Sequence, residues 1–370
     1  MKTSLATGAL ASALLTGALP LAAHAQGSIT LYGRIDAGVE YASGMPTGSG
    51  QTTGSGKRFS VESGDGGVSM LGLTGTEDIG NGTTVQFHLE NQFLATNGEL
   101  AGEGIFNRFS TIAVANDRVG TLTVGHQLFI SNAVWDFDPF GQSPWASASL
   151  VRGRNWPEAN NAVNYASPRW NGFDFAAQYS LSNATHWNGD GTTSQGRGDG
   201  LYATYTNALM EVRAMFDETR DANGQMSDVF AYSREYTLAA NFFVGPVKLQ
   251  AAYQASRTSG ASSAGGTPTS TDYFWGGAVW QVSTALQLMS GVYHVNANNQ
   301  GGNATMYGIG GIYSLSKRTS LRAQVATVHN SATANFSIFA TSTEGTTVAS
   351  GNPPTGHGQT GAFIGIMHSF

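Results

Sequence analysis

The stretch "TVQFHLENQF" (residues 84–93) places Val85, Phe87 and Leu89 on one face of an extended chain, continued by Asn91 and Phe93. Gln86, His88, Glu90 and Gln92 fall on the other. Period two with this contrast defines a β-strand with one apolar side and one wet side. Two architectures use such strands. A soluble sandwich turns its apolar faces inward, whereas a membrane barrel turns them toward lipid and keeps water in its middle.

Composition separates the two. Charged residues make up 11% of the 370-residue chain, against ~25% in an ordinary soluble domain. Glycine, at 49 residues, is close to twice its usual share of ~7%. A soluble protein this poor in charge lacks a solvating surface. A barrel in lipid needs little charge outside and can fill its interior with Gln, Asn, Ser, Thr and Gly. Apolar content of 41% is too low for a helical membrane protein. The formal charge of −6 is mild and gives no nucleic-acid footprint. The chain has no cysteine, which excludes disulfide scaffolds and thiolate sites.

The N-terminus carries Lys2, the apolar run "LATGALASALLTGALPLAA" (5–23) and "AHA" (23–25). A basic start, a modest apolar stretch and an A-x-A site predict a secretory signal peptide over 1–25, cleaved after Ala25. The expected mature domain is therefore 26–370. Nothing later approaches the ~18 consecutive apolar residues of a spanning helix.

Alternation recurs along the chain. In "ITLYGRIDAGVEY" (29–41), Ile29, Leu31, Ile35, Val39 and Tyr41 oppose Arg34, Asp36 and Glu40, charges that a dry core tolerates only in pairs. "FDFAAQYSL", "MEVRAMFD", "VKLQAAYQA" and "SLRAQVATV" repeat the pattern from Phe173, Met210, Val247 and Ser320. Short turns such as "DIGNG" (78–82), "VGPV" (244–247) and "SLSKRT" (314–319) alternate with long polar segments, among them 42–57, 130–158, 182–199 and 331–357. Short turns on one rim and long connectors on the other describe an up-and-down barrel. Counting strands between connectors gives sixteen, and a barrel of that size leaves an aqueous channel. The fold class is thus an all-β, 16-stranded antiparallel transmembrane barrel. Clustered Tyr273, Phe274, Trp275 and Trp280 are expected in interfacial girdles.

Seven segments in order resemble the general diffusion porins of Gram-negative bacteria, in the group typical of β-proteobacteria and Neisseria. They are "GSITLYGRIDAGVEY" (27–41), "GLTGTEDIGNGTTVQFHLE" (72–90), "FNRFSTIAV" (106–114), "GTLTVGHQ" (120–127), "NNAVNYASPRWNGFDFAAQYS" (160–180), "YSLSKRTSLRAQ" (313–324) and the terminal "GIMHSF". The resemblance implies a homotrimer in the outer membrane, in contact with its lipids and lipopolysaccharide, passing ions and small hydrophilic solutes by passive diffusion. It implies that the third long loop folds into the barrel, and that Phe370 serves as an assembly signal. In the family, acids on that loop face basic residues on the wall. Asp136 and Asp138, followed by "PFG", match the acidic side; Arg108 in "FNRF" matches a wall arginine. Arg152 and Arg154, where the loop rejoins the wall, and the inward Arg34 are expected partners. Asp36, Glu40, His88 and Glu90 are expected on the lumen wall.

Departures from the family pattern bear on selectivity. Met70 and Thr74 in "SMLGLTG" and His126 in "GHQ" stand where the family places arginines, and Met367 and Ser369 replace frequent basic residues. With 18 Lys and Arg against 24 Asp and Glu, the expectation is weak selectivity or a tilt toward cations.

Rival functions have weaker support. A barrel hydrolase needs a nucleophile and a positioned base; His88 beside Glu90, and His294 and His368 near serines, form no GxSxG or HExxH pattern. No catalytic, metal or cofactor site is expected. "TGSGKRF" (53–59) lacks the first phosphate-loop glycine, Gln51 standing there, and Asp190 and Asp199 lack calcium-loop spacing. An adhesin or receptor working through long loops and a substrate-specific channel remain as alternatives. The second calls for a longer arginine ladder than Arg34, Arg108, Arg152 and Arg154.

Overall fold

A computed structural model describes residues 27–47, 55–181, 195–260, 267–340 and 351–370. The signal-peptide segment and Asp190 lie outside these residues. Seventeen strands form one antiparallel sheet. The first six are β1 (Ser28–Pro46), β2 (Ser55–Glu62), β3 (Ser69–Gly80), β4 (Thr83–Phe93), β5 (Phe109–Asn116) and β6 (Gly120–Leu128). After the connector 129–157 come β7 (Glu158–Ala166), β8 (Phe173–Ser180), β9 (Arg197–Thr206), β10 (Met210–Arg220), β11 (Arg234–Val244) and β12 (Val247–Arg257). The last five are β13 (Ser270–Gln281), β14 (Leu286–Ala297), β15 (Gly302–Ser314), β16 (Thr319–Asn330) and β17 (Gln359–Ser369).

β1 pairs with β17 from Arg34↔Ser369 to Ser43↔Thr360, so the sheet closes. It also pairs with β3 through residues 28–34 and with β2 through residues 38–46. β2 and β3 are therefore two pieces of one barrel position, separated by a bulge at 63–68, and the barrel has sixteen positions. Closure removes unpaired edges, which hydrocarbon does not tolerate. At the seam the Gly33 N–H donates to the Phe370 carbonyl at 3.2 Å and the Phe370 N–H to the Gly33 carbonyl at 3.0 Å.

The side chains sort by face as the alternation requires. Ile29, Leu31, Ile35 and Val39 of β1 are exposed, while Asp36 and Glu40 between them are each 2% exposed. Phe173 and Phe175 face out while Gln178 and Ser180 are buried; Leu249 and Tyr253 face out while Gln250 and Gln254 are buried. Apolar chains thus form the outer belt and polar ones turn inward, the arrangement that lipid outside and water inside stabilises. Among the described residues no helix is long and apolar enough to cross a membrane.

Two expectations need correction. Tyr273 and Trp275 do not belong to an outer girdle: they are 0% and 4% exposed and point into the barrel, whereas Phe274 and Trp280 are on the outside. Alternation puts sequence neighbours on opposite faces, and shared aromatic character does not override it. The rim of long connectors is also uneven, since β14 and β15 are joined by only 298–301.

Candidate pore lining

The connector 129–157 brings its residues onto inward-facing side chains from both sides of the barrel. Its 3₁₀ run Ile130–Phe137 packs against β9 to β12. Asn241 and Gln250 donate to the Asp136 carbonyl at 3.1 and 3.0 Å, Trp275 Nε1 to the Phe137 carbonyl at 3.0 Å, and Tyr273 to the Ser147 carbonyl at 2.9 Å. Farther along, Ser143 donates to Gln324 at 2.7 Å, Gln324 in turn donates to the Trp145 carbonyl, and Arg34 Nη2 donates to Gln142 at 3.3 Å. Buried backbone carbonyls need such donors, and the wall Tyr, Trp, Asn and Gln residues provide them.

Asp138 organises the turn. Its carboxylate, buried, accepts from the Phe140 N–H at 2.9 Å, the Ser147 N–H at 2.6 Å and the Tyr293 hydroxyl at 2.7 Å. Burial holds this carboxyl above the usual aspartate range, while the hydrogen bonds pull the other way. Pro139 then lies against Gly277, where a Cβ would come within 2.5 Å of the Pro139 Cγ.

Asp136 is the outward-reaching acid. It pairs with Arg213 of β10 at 2.7 Å. Arg213 also lies 3.6 Å from Glu211, and its guanidinium sits 4.9 Å from the Phe137 ring and 4.5 Å from that of Tyr202. The expected Arg108–loop pair is not formed. Arg108 Nε instead donates to Glu90 at 2.6 Å, and Glu90 accepts from Tyr32 at 2.6 Å, with His88 in the same cluster, stacked 4.2 Å from Phe109. Burial of both partners explains the choice: each satisfies the other locally.

Arg152 and Arg154 likewise do not stand opposite the loop acids. Arg154 is buried, bonded to Asp217 at 2.6 Å and to Ser233, with Glu235 at 3.8 Å. Arg152 donates to Asn335 at 2.7 Å and lies 4.9 Å from both the Phe230 and Phe336 rings. Arg154 ties the connector to β10 and β11, and Arg152 ties it to the segment after β16. Asp36 is a wall residue that also has a structural role. Its carboxylate accepts from the Gly64 and Gly66 N–H groups and so shapes the bulge at 63–68.

That bulge in turn positions arginines. Its Val68 carbonyl accepts from Arg34 Nε at 2.6 Å, and its Gly66 carbonyl from Arg322 of β16. A Cβ at Gly66 would lie 2.5 Å from the Arg322 Cδ and 2.7 Å from the Asp36 Oδ2, so glycine is needed for the approach. Arg34 and Arg322 line a cavity of about 1000 Å³ that runs from the connector's tip toward the rim of short turns. Arg169, Arg213 and Lys248 also line it, against the acids Asp136, Asp138 and Glu211. Arg213 is paired as described, and Arg169 pairs with Asp174 at 2.7 Å. Among the described residues, Arg34, Arg322 and Lys248 make no ion pair.

Arg213, Arg322, Lys248 and Glu211 are not singled out by the sequence. Their signal is present all the same: the alternation in "MEVRAMFD", "SLRAQVATV" and "VKLQAAYQA" puts each on the wet face. What period two does not show is which wet residues share a height with the connector.

A closed barrel with an apolar exterior and a charged, hydrogen-bonded interior cavity defines an outer-membrane channel. The chain belongs to the Gram-negative porin family, whose model matches residues 9–333. It is 31% identical over 321 residues to an outer membrane porin protein of Bordetella pertussis, covering 81% of this chain and 79% of that one. It is 28% identical to outer membrane porin protein 32 of Delftia acidovorans, covering 94% and 96%. Among solved structures, an anion-selective porin from Comamonas acidovorans superposes with a TM-score of 0.75 at 23% identity, over 93% of this chain and all of that one. The chain is thus an outer-membrane porin, and its named relatives are channels rather than enzymes.

Proposed function

We propose that this porin is a general diffusion channel for ions and small hydrophilic solutes, narrowed by the connector 129–157 and weakly selective for anions. The observation that carries this reading is the unpaired trio Arg34, Arg322 and Lys248 on the cavity beside the connector's tip. Five cationic side chains against three acids line that cavity. In a confined, low-dielectric passage such an excess raises the local anion concentration. The opposite tilt, read from 18 basic against 24 acidic residues overall, gives equal weight to charges that never meet the solute. Arg108 with Glu90 and Arg154 with Asp217 are neutralised in place. Asp136 facing Arg213 retains the acid-against-base arrangement, with Arg213 in the role expected of Arg108. Support from a relative comes from the Comamonas acidovorans porin, described as anion-selective.

The protein is further proposed to be exported by residues 1–25 and to assemble as a homotrimer among outer-membrane lipids, including lipopolysaccharide. A trimer form is described for the structurally similar OmpT of Vibrio cholerae. The long connectors would face outward, and Phe370 would serve assembly. Chemical cross-linking of the purified protein tests this: a ladder ending at three chains is expected, and monomer alone at every cross-linker concentration contradicts it. For selectivity, replacing Arg34 and Arg322 together by Ser is expected to abolish the anion preference in salt-gradient recordings. An unchanged reversal potential would remove these residues from the account.

A further inference from the structure

A second cavity lies against the inner wall formed by β3 to β6, and its chemistry differs from that of the arginine-lined one. It measures about 290 Å³, and no Asp, Glu, Lys or Arg side chain lines it. Arg108 and Glu90, close in sequence to the lining residues Phe109 and His88, engage each other at 2.6 Å. The lining instead carries five threonines, Thr74, Thr76, Thr111, Thr121 and Thr123. The sheet sets their registration: Thr74 pairs with His88 and His88 with Thr111, while Thr76 pairs with Gln86, Gln86 with Ala113 and Ala113 with Thr123. Two polar rungs thus cross the wall, two residues apart along strands spaced by ~4.8 Å. None of the five hydroxyls hydrogen-bonds to another described residue.

Gln127 also lines the cavity. It is 7% exposed, and its Nε2 has no hydrogen-bond partner among the described residues. A buried amide donor without an acceptor is costly, and a guest that accepts from it relieves the cost. The Phe109 ring, stacked 4.2 Å from His88, adds an apolar face to the same cavity.

The kind of guest follows from these groups. An ion finds no counter-charge here, and an apolar guest would strip water from the hydroxyls and amides without replacing it. A compact ring bearing hydroxyls donates and accepts on its rim, and its C–H face suits an aromatic ring. The volume is that of roughly ten waters at ~30 Å³ each, room for one sugar ring. Thr74 belongs to this argument as well, because an arginine at that position would bring a long cationic chain into the cavity. We infer that this cavity is a binding site for a neutral sugar, one pyranose ring bonded to the threonine hydroxyls and Gln127 and resting on Phe109.

The inference rests on the channel reading for access alone, since a sugar reaches this wall through the lumen. The test is ligand-observed saturation-transfer NMR on the full protein folded in an amine-oxide detergent, with D-glucose as the probe. Transfer of saturation to glucose is expected. Thr111→Val together with Thr123→Val, which keeps the shape and removes two hydroxyls, should raise the half-saturation concentration about tenfold, the loss expected for two hydrogen bonds. Thr74→Arg should abolish the transfer. Resistance to protease reports folding of each variant, and single-channel conductance reports the channel reading separately. Folded protein that gives glucose no saturation, or threonine variants that match the wild type, overturns the site. So does a transfer lost in Lys248→Gln and kept in the threonine variants, which would place glucose in the charged cavity. A protein that binds glucose as described but passes no current keeps the site and loses the channel reading.

Discussion

Arg213 carries the contact between barrel wall and connector. It meets a carboxylate that is more than half exposed at 59%, so the ion pair itself is screened. Its donation to the Ala133 carbonyl at 2.8 Å and its stacking on Phe137 and Tyr202 are in drier surroundings. Arg213→Ala is therefore expected to lower stability by about 1.5–3 kcal/mol, the range for hydrogen bonds to a charged group, and to widen the pore. Thermal unfolding in detergent and single-channel conductance read the two effects. Lys248 makes the complementary case. Lys248→Gln should shift the reversal potential toward cations, whereas Lys317→Gln, on the exposed short turn 315–318, should not. At this scale the sequence is legible as to face and silent as to partner. Arg108 is expected on the wall and Arg154 where the loop rejoins it, and both are found buried in ion pairs. Their acids, Glu90 and Asp217, come from other strands, and that registration needs the folded barrel.

The connector 129–157 is the element in which the sequence pattern fails. It has neither strand nor helix periodicity, and its order comes from hydrogen bonds to the wall together with a few within the connector. Asp138 accepts three hydrogen bonds and so makes the turn at Pro139 and Phe140. Asp138→Ala should leave the barrel folded and loosen the turn, giving larger and noisier single-channel currents. Unchanged currents would show that the connector is held without it. Gly277→Val tests the bed beneath the turn. A side chain there meets Pro139 and runs into the Ser290 carbonyl, so the variant is expected to displace the tip and also to strain β13 against β14. The strands, by contrast, are readable as to face, because each alternates between lipid and lumen over a full crossing, but not as to their ends: the polar segment 42–57 holds the end of β1 and the start of β2, and 182–199 the start of β9. The bulge between β2 and β3 is not readable, since nothing in "SGDGG" (63–67) marks it as an interruption within one barrel position. Only the Asp36 carboxylate and the two arginines above it show why a turn belongs inside a barrel stave.

For the whole molecule, sixteen positions close on themselves through β1 and β17, and the seam ends at Phe370. Removing Phe370 deletes both backbone hydrogen bonds to Gly33. The truncated chain is expected to fold with lower yield into vesicles, measured as the fraction resistant to protease, while folded molecules keep the wild-type conductance. The overall charge of −6 describes the chain but not its passage. The cavity beside the tip of the connector has more cationic than acidic side chains in its lining. Residues far apart in sequence build the cavity lining, so the count of charges along the chain and the charges that line the cavity lead to different expectations for selectivity.

The most direct measurement is the reversal potential of single channels in a planar bilayer under a potassium chloride gradient. Stepwise insertions with a reversal potential displaced toward the chloride equilibrium value are predicted, and the displacement should shrink in the Arg34→Ser, Arg322→Ser double variant. A displacement toward the potassium value, or a folded protein that passes no current, would contradict the account.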